Sequence, residues 1–312
     1  GDHVKDENFK PQTADVPGLQ LLGPKQEQFL REWALDWRGA DLKAVISQTI
    51  FTAMATTHGG VGQRLVADYD TNAWPQTPRN RALRELRRCF AFHLAGDQHL
   101  PGLVHYGIEE HRDAGVAFAG PAVNVGYPRW WEPNAKTNHR QPGQGLLGDF
   151  RDSFGHPLTV LAVSNMPAIL PKGSLDNVQA KTSGLGLVRF HKAKRQITID
   201  CWPYLADVTK PGGQMPGWPQ TIDVLANYGR KAVAHLPALN VTGTQKPLVQ
   251  VLDEGGKEVL YALRVDPKGF RAPVFAPGKY TLRVSDPESG RVKELNSVAA
   301  VAGDVPPLKV NL

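Results

Sequence analysis

Two cysteines in 312 residues, Cys89 and Cys201, are too few and too far apart for a disulfide-stapled fold or a cysteine zinc site. Each lies in or just after an apolar run, so both are expected as buried free thiols. No run of about 18 apolar residues occurs, which excludes a membrane span by a helix of ordinary length. Internal repeats and low-complexity tracts are also missing, and with them the solenoid classes. No Ser-His-Asp or Cys-His arrangement is spelled out. The net charge of +6 favours anionic partners in general terms, but the 36 basic residues are scattered among 30 acidic ones. Without aromatic–basic interleaving or a known motif, no nucleic-acid surface is expected. The densest basic group, Arg81, Arg84, Arg87 and Arg88, reads as the solvated face of one helix.

What is present suits two domains with a real core: 41% hydrophobic and 21% charged residues over that length. Pro24 opens a helical pattern running to about Trp37, with Phe29, Leu30, Trp33, Ala34 and Trp37 on one stripe. Residues 43–51 read as a buried strand, 53–78 as a long loop, 79–89 as a helix, and 91–97 as a second buried strand. Strand, loop, helix, strand is the grammar of a parallel sheet. Further strands are expected at 103–108, 114–125, 158–164, 184–191 and 196–202, with a turn at Lys192–Arg195 and a surface excursion over 127–155. Residues 203–234 are rich in proline and glycine and read as a linker. From 235 onward apolar residues alternate with a period of two between turn signals such as Asp253-Glu254-Gly255-Gly256 and Asp286-Pro287-Glu288-Ser289-Gly290. That pattern predicts a small antiparallel β-sandwich over 235–312. The fold class expected for the whole is α/β, with 1–202 as the first domain and the sandwich as an accessory domain.

The chemistry concentrates at Gly96-Asp97-Gln98-His99, where an apolar strand ends and a carboxylate and an imidazole follow two residues apart. Ligands bind at the carboxyl ends of parallel strands, and mixed oxygen and nitrogen donors suit a hydrolytic transition-metal site. The plainer reading of the pair is a turn aspartate beside a surface histidine. His58, in the long loop, is a candidate ligand or a solvated loop histidine. Asp70 and Asn72 either touch substrate or close an Asx turn. Arg129 follows another strand end and would clamp a phosphate oxygen, or pack in a surface loop.

Four pieces of text stand in order along the chain: Leu22-Gly23 with Gln26 and Phe29-Leu30, then Lys43–Thr49, Asp70-Thr71-Asn72-Ala73-Trp74-Pro75 and Gly96-Asp97-Gln98-His99. On these the run Leu22–Trp131 resembles the C-terminal half of the PhoD-like alkaline phosphatase/phosphodiesterase family, a branch of the calcineurin-like metallophosphoesterases. The resemblance implies half of a metallophosphoesterase sheet sandwich with flanking helices. It implies two metal ions (Fe, Ca, Zn or Mn) with Asp97 and His99 among their ligands; His58, Asp70, Asn72 and Arg129 are substrate-contacting candidates from their own places in the loop and at the strand ends. It also implies hydrolysis of phosphodiesters or phosphomonoesters by a metal-activated water, in a periplasmic or secreted setting. The family's three upstream metal motifs do not precede residue 97. Gly148-Asp149-Phe150-Arg151-Asp152 spells one of them out of order, and Asn138-His139 is followed by Arg140. The expectation is therefore a C-terminal portion whose N-terminal half packs against it as a separate chain, inactive alone. The alternative expectation is a non-catalytic binding or structural module with an adhesive β-sandwich.

Overall fold

The computed structural model describes residues 3–58, 63–123, 127, 129–165, 183–303 and 305–312. Among the described residues two α-helices, α1 (Pro24–Leu35) and α2 (Gln76–Arg87), stand among strands in several sheets, so the described part is mainly β. The expected α/β character is thus corrected. Among the described residues two stretches form helices of about three turns, and segments read as loops form short ladders instead. The chain divides into two compact units. One holds Gly1–Gly23, Ala44–Leu83 and Phe92–Gly229; the other holds Pro24–Lys43, Arg84–Ala91 and Arg230–Leu312.

The first unit contains strands β1 (His3–Val4), β2 (Ala44–Ser47), β3 (Thr57–His58), β4 (Ala67–Asp68), β5 (Phe92–Ala95), β6 (Gly102–Tyr106) and β7 (Val116–Ala119). It continues with β8 (Arg129–Trp130), β9 (Gly148–Arg151), β10 (Pro157–Val163), β11 (Gly184–His191), β12 (Gln196–Pro203) and β13 (Gln220–Asp223). A six-stranded sheet runs in the order β2-β5-β7-β6-β10-β9. Its β2–β5 and β5–β7 pairs are parallel and the others antiparallel. The parallel pairing of 44–47 with 92–95 is the one the strand–helix–strand order predicts. β6 and β7 are buried throughout, as expected of strands covered on both faces. β2 is an edge strand, and Ile46 on it is 79% exposed. Residues 196–203 and 184–191 pair around the expected turn, and β13 adds a third strand from the stretch read as linker. Residues 124–125, the end of the strand expected over 114–125, lie outside the described residues.

The second unit contains α1 and strands β14 (Ala234–His235), β15 (Leu239–Thr242), β16 (Leu248–Leu252), β17 (Val259–Arg264), β18 (Lys268–Phe270), β19 (Pro273–Val274), β20 (Lys279–Asp286), β21 (Arg291–Ala299) and β22 (Leu308–Asn311). The antiparallel sheet β17-β16-β20-β21 buries Val249, Val251, Tyr261, Leu263, Leu282 and Val284, the apolar positions of the period-two pattern, and β16 is buried at the intervening positions as well. In the smaller sheet β18-β15-β22 the β15–β22 pair is parallel, which departs from the all-antiparallel expectation. The predicted turns form: Asp253 accepts the amides of Lys257 and Glu258, and Gly290, at φ 73°, donates to the Asp286 carbonyl at 2.9 Å.

Candidate metal centre

Two ladders of two residues each build the site in the first unit. β1 against β4 sets His3 opposite Asp68, and β3 against β8 sets His58 opposite Arg129. Alternation along β1 turns Val4 the other way from His3. Val4 and Phe9 pack on the buried cluster of Ala14, Ala53, Ala67, Ala73 and Phe154. The Val66 amide donates to the Val4 carbonyl at 2.9 Å, the Leu65 amide to Thr56 at 2.9 Å, and the His58 amide to Gln63 at 3.0 Å. These bonds hold an otherwise irregular segment in register.

The result is a convergence of His3, His58 and Asp68, whose potential ligand atoms all lie within 4.8 Å of one another. Among the described residues it is the one group of three or more His, Cys, Asp or Glu side chains so arranged. The two imidazole rings meet edge-on with centroids 4.0 Å apart, and His3 Nε2 is 3.8 Å from Asp68 Oδ1. His58 and Asp68 are buried; His3 is exposed. Burial, with Arg129, His3 and His99 nearby, pushes the His58 pKa down to about 4, so its ring is neutral at pH 7. The Tyr127 hydroxyl is hydrogen-bonded to His58 Nδ1, while His58 Nε2 is buried with no partner. In the tautomer where Nδ1–H donates to Tyr127, Nε2 carries a bare lone pair. Burial raises the Asp68 pKa, against the opposing pull of the Asp70 amide, which donates to Oδ1 at 3.0 Å, and of Arg129 and His3. An orphaned buried imidazole nitrogen beside a second imidazole and a carboxylate is a donor set that one divalent transition metal fits.

Asp97 and His99 lie beside this cluster. Both adopt left-handed backbone, at φ 53° and 47°. The Gln48 amide donates to Asp97 Oδ2 at 2.7 Å. His99 Nδ1 must donate to the Tyr127 carbonyl at 2.9 Å, so its Nε2 is a lone pair, 3.6 Å from Asp97 Oδ1. Burial, then Arg129, lowers the His99 pKa and favours that neutral form. Two acceptors facing each other across that gap suit a cation between them, but the pair supplies two donors only. Tyr127 connects the groups, its hydroxyl to His58 and its carbonyl to His99.

Arg129 is buried and serves the protein's own groups. Its Nη1 donates to the Asp97 carbonyl at 3.2 Å, and its Nη2 is 3.9 Å from Asp68 Oδ2. Asp70 is exposed and offers its amide, not its carboxylate, to Asp68. Asn72 donates to the Thr49 carbonyl at 2.9 Å and fastens the loop to the end of β2. The structure therefore brings His58, Asp97, His99 and Arg129 together and leaves Asp70 and Asn72 as loop supports. The out-of-order motif at 148–152 is not part of the site. Asp152 accepts from Thr52, Ala53, Phe154 and His156. His3 and Asp68 were not recognised from the sequence. Asp68 had a signal, the acidic run before Asn72; His3 had none, because a two-residue strand shows no period.

Ser47 Oγ lies 2.7 Å from His93 Nε2, and His93 Nδ1 lies 2.8 Å from the Tyr106 hydroxyl. The pattern imitates a nucleophile–base pair, but the donors run the wrong way. Tyr106 accepts from the Phe51 amide and donates to Nδ1, so Nε2–H donates to Ser47, whose proton goes to the Thr49 carbonyl. His93 is not poised to take a proton from Ser47.

A cavity of about 500 Å³ adjoins the cluster, lined by His3, Lys5, His58, Gln63, Arg64, Leu65 and Tyr127. Both cysteines are free and buried. No family model, no curated protein and no solved structure matches the chain.

Proposed function

We propose that the protein is a metal-dependent phosphoester hydrolase whose cation is held by His3, His58 and Asp68. The observation that carries this reading is the convergence of ligand atoms of His3, His58 and Asp68 within 4.8 Å of one another, with the buried Nε2 of His58 left without a partner. A divalent cation bound there supplies positive charge for phosphoryl oxygens and makes water a competent nucleophile at neutral pH. The remaining work falls to this chain's own groups. Tyr127 fixes the ring orientation and tautomer of His58, as a hydrogen-bonded partner does for metal-bound imidazoles. Arg129 offsets the negative charge of Asp68 from behind. Asp97 and His99 provide two further donors where a second ion, expected from the resemblance to PhoD-like enzymes, would need additional ligands.

The test is metal content and turnover of the purified chain, compared with His58→Ala and Asp68→Asn. The expected result is about one tightly held divalent ion per chain, metal-dependent hydrolysis of p-nitrophenyl phosphate or its bis ester, and loss of about 100-fold or more in kcat/KM in either variant. Wild-type protein that neither retains a divalent ion nor hydrolyses either ester when loaded would overturn the reading. So would variants with unchanged metal content.

A further inference from the structure

The metal cluster draws on three segments, and the one that carries His3 is fastened unevenly. From Phe9 onward it is tied down. The Phe9 ring packs edge-on against Tyr69 and Phe154, Gln76 Nε2 donates to the Pro11 carbonyl at 2.6 Å, and Trp74 Nε1 donates to the Ala14 carbonyl at 2.8 Å. Asp15 accepts the amide and the hydroxyl of Thr77 at 3.1 and 2.6 Å. Ahead of Phe9 the hold is slight. Lys5, Asp6, Glu7 and Asn8 are all exposed, and Asp6 accepts from its own neighbours, the amides of Asn8 and Phe9. Glu7 meets Lys136 at 3.6 Å in an exposed ion pair, which contributes little. What remains is the packing of Val4 and the two-residue ladder of β1 with β4, a sheet by itself. A two-stranded ladder of that length does not hold in water unaided.

His3 sits at the far end of this weakly held stretch, yet its ring meets His58 and its Nε2 comes within 3.8 Å of Asp68. His58 and Asp68 are buried, so a cation shared by the three ties the stretch down where its own contacts are fewest. The same stretch is also a wall. His3 and Lys5 line the cavity of about 500 Å³, with His58, Arg64, Leu65 and Tyr127 among its other lining residues. We propose that residues 3–8 form a strap clasped through His3 by the cation, so that metal loading closes this wall of the cavity and metal loss lets it lift. The strap rests on the metal site proposed above and not on its hydrolytic activity. By linkage, the factor by which the ion favours the docked strap equals the factor by which docking strengthens ion binding.

The Val66 amide is the reporter, because its acceptor is the Val4 carbonyl at 2.9 Å. The test is hydrogen exchange of the full chain at neutral pH, read in peptides covering residues 3–9 and 65–68, with EDTA or with saturating zinc chloride. Zinc should slow exchange in both peptides about tenfold in wild type and leave it unchanged in His3→Ala. Zinc affinity of that variant, by chelator competition, should be weaker by about the same factor. His3 is exposed, so the variant should melt with metal-free wild type. Zinc bound with exchange unchanged in wild type, or slowed equally in His3→Ala, would overturn the inference. Zinc bound and exchange slowed without hydrolysis of either ester sinks the hydrolase reading and leaves the strap standing; hydrolysis with unchanged exchange does the reverse. No zinc binding at all removes the strap together with the metal site beneath it.

Discussion

His58 combines three properties that rarely coincide: a buried ring, a pKa near 4, and one nitrogen with nothing to bind. The low pKa means that the lone pair survives well below neutrality, so protonation of the His58 ring should compete with a bound metal only as pH falls toward about 4. A metal-competition titration across that range checks it. Tyr127→Phe removes the hydroxyl that orients the ring while keeping its bulk. Metal affinity should fall about 10–100-fold with the fold intact, measured by chelator competition. At Ser47 the opposite is expected. Its hydroxyl accepts from His93 rather than surrendering a proton to it, so Ser47→Ala should leave turnover within about threefold and cost about 1 kcal/mol of stability. A collapse in turnover would show that the donor order is reversed.

Among the elements, the short ladders matter more to the site than the long strands do. β1 and β4 are two residues each, yet their register alone opposes His3 to Asp68. The large sheet depends on close approach at its ends. A Cβ on Gly107 would sit on the Glu110 carbonyl and 2.5 Å from Pro157 Cβ, and neither neighbour is a flexible tip. Gly107→Ala should therefore cost about 2–3 kcal/mol, seen as a lower urea midpoint with an unchanged slope. In the second unit the comparable point is Arg264, which is buried and donates to the carbonyls of Trp37, Ala40 and Lys246 as well as to Glu288. Arg264→Ala would strip three carbonyls of their donor at once and should destabilise that unit by about 3 kcal/mol or more, read by thermal melting.

For the molecule as a whole, the buried histidines set the acid limit. Burial lowers the pKa of His93 to about 3 and of His105 and His156 to about 4, from an ordinary 6.5. Between pH 6.5 and about 4 the unfolded chain binds protons at these rings and the folded chain does not. Stability is therefore full above pH 6.5 and falls as pH drops through that window, by up to about 1.4 kcal/mol per pH unit for each ring. Urea midpoints at pH 7, 6 and 5 should decrease in step, and flat midpoints would contradict the neutral assignment of the rings. His105 shows why these rings stay neutral: burial in a fully buried strand outweighs the hydrogen bond its Nε2 donates to the Ala114 carbonyl at 2.8 Å, which by itself would favour the charged ring.

The period-two runs at 248–252, 259–264 and 279–286 and the turn chemistry between them determined the strands of the second unit, because alternation and turns act over neighbouring residues. The strand pair at 184–203 and the parallel partnership of 44–47 with 92–95 were legible for the same reason. The Asp97–His99 pair was visible as two donors at a strand end. What only tertiary structure decided was which groups meet: His3 with Asp68 across 65 residues' separation in register, His58 with Arg129, and Tyr127 between two histidines. Those contacts depend on ladders too short to carry a period and on packing of Val4 and Phe9 against residues from three other segments, and neither leaves a local trace in the chain.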